Sequence, residues 1–491
     1  KKERKKERKN RHKDQMDNQN EECQGPRIDQ KDMSTPFLED QLEHGDQQNR
    51  NFGHRKNDGV DMTAHMGLRG IATLWIVIFH CCFYNEMNLN IQGSALMSLF
   101  FLLSGFSLAV IYGERAMPSL DTEHEGFQWK HFYQNRLARI MPLFYLSNAI
   151  GFGTVFTGFG TFSPSSPKYM LVFWIAGVIS GSYTWTLFSL GAGFDGPGWT
   201  ISTLLAFYLL FPVWCRKIQQ HICFAQSRFG YGKWLFWLNI LQLVLGYGVF
   251  FLTAGNFYLA TMVPYTRFPV FIMGVVAGLE CKNKDFSEDM PHYCLCTSPS
   301  AEIGDADGHA ANPISKIWAR RVNFASIVWA VIFLYYCIYD SLAQNKLVSS
   351  DEILFLEFVT GGAVHLQFFG VPLLLVMIVG MTRDQGHSIL SKFCRHKWSI
   401  WFGNISLGIY LIHEVLIEYF HAIYFGHQVY DEDSPKAGFQ KSGFSLSENK
   451  ELGSSMPWWG VVVVFPLSLF CGCLLNCVVE KPLRKALSVR K

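Results

Sequence analysis

The chain has 491 residues, of which 49% are hydrophobic, 15% aromatic and only 17% charged, with a formal net charge of +3. Its apolar residues gather into runs of roughly 16 to 29, separated by loops that hold most of the Lys, Arg, Asp and Glu, and about 20 apolar residues suffice to cross a bilayer as a helix. This pattern excludes an ordinary single soluble domain and predicts an all-α polytopic membrane protein with about ten transmembrane helices and one re-entrant or interfacial segment.

Residues 1–62 stand apart. From "KKERKKERKNRHKDQMDNQNEECQ" onward they are polar and nearly free of large apolar side chains, too little to offset the entropy of ordering. The expectation is a disordered basic tail that fixes orientation or touches anionic lipid on the cytosolic leaflet. It shows no signal-peptide pattern and opens without Met, which leaves the true N-terminus open.

Eleven apolar runs come after it, at 69–86, 95–112, 140–158, 169–189, 199–214, 234–253, 265–280, 320–339, 353–381, 399–424 and 458–479. The run at 353–381 reads as one tilted helix or as a helix broken near Gly361-Gly362. Basic residues concentrate after the second run (Arg115, Lys130, Arg136, Arg139), at 215–233, 281–321 and 383–397, and at the C-terminal end, whereas the intervening loops are nearly bare. The positive-inside rule puts all the basic loops on the cytosolic side only if one run between 140 and 214 fails to cross. The weakest is 169–189, with Gly177, Ser180, Gly181, Ser182 and Thr184. It is predicted to be re-entrant or interfacial, since irregular backbone at membrane depth is tolerated beside a polar cavity. Both termini are then cytosolic, in a plasma membrane or an endomembrane.

None of the thirteen cysteines lies in the bare loops, so no disulfide framework is expected. Cys281, His292, Cys294 and Cys296 gather in one cytosolic loop, but their spacing matches no common zinc finger, and no metal is expected.

The stretch "GLRGIATLWIVIFH", Gly67 to His80, places two ionisable groups in an apolar segment. On a helix, Arg69 and His80 fall within about 20° of one face and roughly 16 Å apart along the axis, with Thr73 and Ile76 between them. Ionisable groups inside a membrane are costly and face a cavity or a partner. The guanidinium of Arg69 suits phosphate, and the imidazole of His80 suits proton transfer near neutral pH. A cytosolic donor that carries phosphate and whose reactive end reaches His80 would use both. The competing reading makes Arg69 a positive-inside anchor and His80 a packing residue.

Arg69, ten residues and His80 resemble the first-helix signature of acyltransferase family 3, membrane O-acyltransferases that modify sugars, peptidoglycan and lipids. The resemblance continues in order through "LFFLLSGFSLA", "FYQNRLARIMPLFY", "GPGWTISTLLAFYLLFPVW", "RFPVFIMGVVAG", "GNISLGIYLIH" and "VEKPLRK", and spans residues 65–487. It implies one transmembrane acyltransferase domain. An acyl-coenzyme A donor, most simply acetyl-coenzyme A, would enter from the cytosol, and the acceptor would be a hydroxyl of a carbohydrate, lipid or small molecule. His80 would act as general base or acyl relay. No nucleic-acid partner is expected. One departure stands out: the carboxylate usual after the family's Trp element falls at Leu204, with Asp195, Glu352 and Glu357 as replacements by type.

Other residues carry two readings each. Arg136 and Arg139, three apart on one helical face, extend the phosphate site of Arg69 or snorkel to headgroups. Trp199, Ser202 and Tyr208 line the acceptor path or sit at the interface as aromatic and polar residues commonly do. Arg267 lies toward the non-cytosolic half of a span, where it pairs with a carboxylate or contacts acceptor or acyl groups. Ser104-Gly105 serve close helix packing, His413 is structural, and Glu480 caps a helix or forms an ion pair. The rival functions are a transporter or lipid translocator, against which the absence of a detectable internal repeat counts, and a catalytically silent relative.

Overall fold

The computed structural model describes residues 60–83, 91–113, 128–156, 168–185, 194–225, 230–253, 257–282, 313–344, 362–425 and 456–488. Two units are separated in the chain, residues 1–59 and the unit from Val60 to Lys491; the first lies outside the described residues, as do Glu352, Glu357, Gly361 and the loop after Lys282.

The described part is helical, without a strand. In chain order the helices are α1 (Thr63–Phe83), α2 (Met97–Tyr112), α3 (Trp129–Gly151), α4 (Lys168–Ser180), α5 (Trp199–Ala225), α6 (Gly230–Leu252), α7 (Phe257–Met262), α8 (Pro264–Lys282), α9 (Pro313–Gln344), α10 (Gly362–Phe369), α11 (Val371–Arg383), α12 (Ile389–Cys394), α13 (Lys397–Phe425), α14 (Trp458–Leu475) and α15 (Lys481–Leu487). Each of the eleven apolar runs overlaps a helix. Among the described residues nine helical segments are long and apolar enough to cross a membrane, as expected of a multi-pass membrane protein. α3 is long enough but opens with the polar stretch "WKHFYQNRLAR". α4 has 13 residues, about 20 Å of helix against a hydrocarbon core of about 30 Å, a length that suits the expected re-entrant or interfacial segment. The run at 353–381 is broken between α10 and α11 at Gly370, beside Pro372, whose ring cannot continue a helix without loss of a hydrogen bond.

Glycines set the closest helix contacts. A Cβ at Gly105 of α2 would lie 2.1 Å from the carbonyl oxygen of Phe271, and one at Gly274 of α8 would lie 2.2 Å from that of Leu102. These two helices therefore touch backbone to backbone, the role expected for the Ser104-Gly105 pair. α1 and α13 approach in the same way. A Cβ at Gly70 would lie 2.4 Å from the amide of Gly403, and one at Gly403 would lie 2.2 Å from the carbonyl of Met66. Ten residues further along both helices, His80 meets His413, so α1 and α13 run parallel with one fixed offset. The largest apolar cluster is rich in Phe, with Phe101, Phe106, Phe144, Phe207 and Phe271 buried, and a second one joins Val77 and Cys81 of α1 to Ile405 and Ile409 of α13.

Candidate active site

Helix α1 supplies both ends of the site. Near its start, Arg69 donates from Nη2 to the Gly403 carbonyl at 2.8 Å, which is possible because Gly70 and Gly403 let α13 approach that closely. Its Nε is buried with no hydrogen-bond partner. Thr73 returns its hydroxyl to the Arg69 carbonyl at 3.0 Å, and Thr73 and Ile76, the residues expected between the two ends, are each 1% exposed. The face between Arg69 and His80 is thus packed rather than lipid-exposed.

Among the described residues, Arg136, Arg139, Arg484 and Lys481 gather at the Arg69 end. Arg139 of α3 lies within electrostatic reach of Arg69, Arg136, Arg484 and Glu480. Arg136 donates to the Tyr112 hydroxyl at 3.0 Å, with its guanidinium 5.0 Å over that ring, and keeps a buried Nε unpartnered. Glu480 closes a single π-helical turn, Asn476–Glu480, between α14 and α15. The extra residue in such a turn displaces the side chains after it, and π turns cluster at functional positions. Its carboxylate sits among Arg139, Arg69, Arg484 and Lys481, with Oε2 buried and unpartnered. Among the described residues one carboxylate leaves four guanidinium groups incompletely balanced, and such a concentration of planar donors suits a phosphate-bearing ligand.

Tyr208 belongs to this end as well. Its hydroxyl meets Ser104 Oγ at 3.1 Å and lies within electrostatic reach of Arg69. The other residues expected along an acceptor path sit elsewhere. Ser202 accepts from the amide of Thr184 at 3.2 Å and from its hydroxyl at 2.8 Å, and the Ser202 carbonyl accepts from the Trp185 indole at 2.7 Å. These contacts pin the segment after α4 to the start of α5. Trp199 is buried against Phe101. Arg267, fully buried, donates to the Thr261 carbonyl at 2.6 Å and to Ser98 Oγ at 3.2 Å, and lies over the Phe368 ring. Among the described residues its partners are therefore a carbonyl, a hydroxyl and a ring rather than a carboxylate; Nη2 has no hydrogen-bond partner.

At the other end of α1, His80 is part-buried, and its Nδ1 lies 2.7 Å from His413 Nε2. His413 is fully buried, and its Nδ1 lies 2.7 Å from the Tyr410 carbonyl and 3.3 Å from that of Ile409. The sequence treats His413 as structural; the hint to the contrary is its place at the close of "GNISLGIYLIH".

Directly after His413 along α13 begins a buried acidic group that composition does not reveal. Asp195 accepts a hydrogen bond from Ser147 and lies within electrostatic reach of Glu414, which in turn neighbours Glu418. All three carboxylates are at most 5% exposed. The Glu414 carboxylate fits because residue 196 is glycine: a Cβ there would stand 2.1 Å from Oε2. Of the replacements named for the missing carboxylate, Asp195 bonds Ser147 rather than His80. Leu204 itself is partly buried and packs into the apolar core. Among the described residues no group of His, Cys, Asp and Glu is suited to hold a metal ion.

A family model described as "Acyltransferase domain" matches residues 66–477. A curated relative, "Acyltransferase MdmB" of Streptomyces mycarofaciens, is 28% identical over 179 residues, which cover 33% of this chain and 41% of the relative. The matched part thus spans less than half the length of that protein. No solved structure matches significantly.

Proposed function

The chain belongs to acyltransferase family 3, and from that premise we propose that it is a membrane O-acyltransferase that draws on cytosolic acyl-coenzyme A. The acyl group is acetyl in the simplest case, and the acceptor is a hydroxyl of a carbohydrate, a lipid or a small molecule. The observation that carries the reading is that one helix bears both chemistries. Arg69, with Arg139 and Arg484 near it and Arg136 next to Arg139, stands at one end of α1, and His80 against His413 stands about 16 Å away by helical rise.

The arginine end holds the nucleotide phosphates of the donor, and Tyr208, beside Arg69, borders that site. The flexible arm of coenzyme A reaches from that end towards His80 and delivers the thioester there. The imidazole removes the proton from the acceptor hydroxyl as its oxygen bonds to the thioester carbonyl carbon. When the carbon–sulfur bond breaks, the leaving thiolate takes that proton back from His80. The step neither gains nor loses a proton overall. In a relay variant the acyl group rests first on the imidazole and passes from there to an acceptor on the far side. Trp199, Ser202 and Arg267 would then shape the acceptor side from a distance. With the basic loops in the cytosol, both termini are cytosolic, in a plasma membrane or an endomembrane.

The test is transfer of labelled acetyl from acetyl-coenzyme A in membranes carrying the full chain, wild type against His80→Ala. General-base assistance is worth about 10²–10⁴-fold, so the variant should retain no more than about a hundredth of the wild-type rate. Retention above about a tenth, outside that range, would remove His80 from the chemistry. The fraction that gains label, glycan or lipid, identifies the acceptor class.

A further inference from the structure

We propose that His413 is a positioning residue that fixes the tautomer of His80 and thereby leaves one nitrogen of His80 ready as the base; this rests on the reading of His80 given above. Which atoms are able to donate decides the tautomer. The Tyr410 and Ile409 carbonyls only accept, so His413 Nδ1, at 2.7 and 3.3 Å from them, carries the hydrogen. In a neutral ring the other nitrogen, Nε2, is then a bare acceptor. It faces His80 Nδ1 at 2.7 Å, so the hydrogen between the rings sits on His80 Nδ1. That leaves His80 Nε2 with its lone pair free, and among the described residues no hydrogen-bond partner occupies it. A chain of two imidazoles thus passes a constraint from helix backbone to the reacting nitrogen, as a buried carboxylate does in a hydrolase triad.

The geometry excludes the opposite assignment. Were His80 the Nε2–H tautomer, Nδ1 and His413 Nε2 would both present lone pairs at 2.7 Å. Were His413 protonated, it would donate to His80 Nδ1, and the hydrogen of neutral His80 would move to Nε2, where it blocks base catalysis. Acceptance by His413 also supports the imidazolium that forms as His80 takes the acceptor's proton, since an acceptor behind a ring N–H stabilises that cation. Titratable groups on the elements packed around the pair include His65, Arg69, Cys81 and Cys82 on α1, Tyr410, Glu414, Glu418, Tyr419 and His421 on α13, Cys471 and Cys473 on α14, and Tyr183 and Asp195 across from α13; among the described residues the side-chain hydrogen bond to either ring is the one the two histidines share. The pair is rigid on both sides, because His413 is held by its own helix and the α1–α13 offset is held by Gly70 and Gly403.

The experiment measures acetyl transfer from acetyl-coenzyme A against pH, in membranes with the full chain, for wild type, His80→Ala, His413→Gln and His413→Leu. A glutamine can donate its amide to the Tyr410 carbonyl and present its oxygen to His80, so His413→Gln should keep at least about a tenth of the rate, with the acid limb of the pH profile unmoved. Leucine offers no acceptor, so His413→Leu should lose about 10²–10⁴-fold, the range of general-base and tautomer effects. Its residual activity should show the acid limb displaced to lower pH. Where the leucine variant fails to accumulate, His413→Phe, which keeps a ring without an acceptor, serves in its place. Wild-type-like rates in the leucine or phenylalanine variant beside an inactive His80→Ala would overturn the positioning role alone, as would equal losses in the glutamine and leucine variants. Full activity of His80→Ala would instead overturn the reading of His80 as base.

Discussion

Arg139 is the residue on which the donor end is most directly tested, because among the described residues its electrostatic neighbours are other guanidinium groups and one carboxylate. A hydrogen bond to a charged group is worth about 1.5–3 kcal/mol, and each 1.4 kcal/mol is about tenfold. Arg139→Ala should therefore raise KM for acetyl-coenzyme A by about 10–100-fold with a smaller change in kcat, the pattern of lost uniform binding. Arg136→Ala should cost less, since Tyr112 already engages that side chain. Saturation curves decide between the two, and an unchanged KM for Arg139→Ala would take it out of the donor site. At Leu204, where the family usually has a carboxylate, the opposite experiment is informative. Leu204 packs into apolar core, so Leu204→Glu buries a charge without a partner. It should lower thermal stability and leave the transfer rate no higher than wild type; a gain in rate would mean that the histidine pair is incomplete without that carboxylate.

At the scale of elements, the contact between α1 and α13 is what brings the two histidines together. Gly403→Ala places a methyl 2.2 Å from the Met66 carbonyl, and α13 must move to admit it; overpacking of this kind costs about 1–3 kcal/mol. Acetyl transfer should fall by at least about tenfold, the kinetic equivalent of about 1.4 kcal/mol. Gly248→Ala in α6, where nothing lies within 4 Å of the added methyl, should be neutral. Equal effects at the two sites would show that helix approach does not control activity. The start of α1 is held differently. Asp61 accepts from the Thr63 amide at 2.8 Å and pairs with Arg395. Its partial burial raises the carboxyl, but the bonds from Thr63 and Arg395 outweigh this and hold it below the usual carboxylate range. The stability this supplies is present above the unfolded-state value of 3.8 and is lost as pH falls through the lower folded value. The pair is part-exposed, so Asp61→Asn should cost only about 0.2–1 kcal/mol at neutral pH, and the difference from wild type should vanish in strong acid. A thermal-melting series against pH reads both; a difference that persists there would assign the effect to packing.

At the scale of the whole molecule, the expected arrangement is decided by loops rather than by helices. Tags inserted at 215–233, 281–321 and 383–397 should react only after permeabilisation, because Lys and Arg set orientation. The short α4 allows this arrangement, since its 13 residues need not cross. A signal from intact cells at 215–233 would overturn this orientation; because Gln219 donates to the Gly113 carbonyl, next to the Tyr112 that Arg136 engages, it would also place the arginine cluster on the other side from the proposed donor.

The helices and the two ends of α1 were legible in the chain alone, because apolar run length and an eleven-residue interval are local quantities that helix geometry converts directly into position. Arg136 and Arg139 stand three apart on one face in the chain, and the fold brings Arg139 within reach of both Arg136 and Arg69. Contacts between residues far apart in the chain were not. That His413 touches His80, that Glu480 enters the arginine cluster, and that Asp195 neighbours Glu414 all depend on helix offsets, which are set by a few glycines where backbone meets backbone. Trp199 and Ser202 illustrate the same point: the chain offers residue types that suit a substrate path, and only the fold shows Trp199 against Phe101 and Ser202 bonded to Thr184. A single helix carries its own periodicity in its sequence, whereas the register between two helices is a property of both and exists only once they pack.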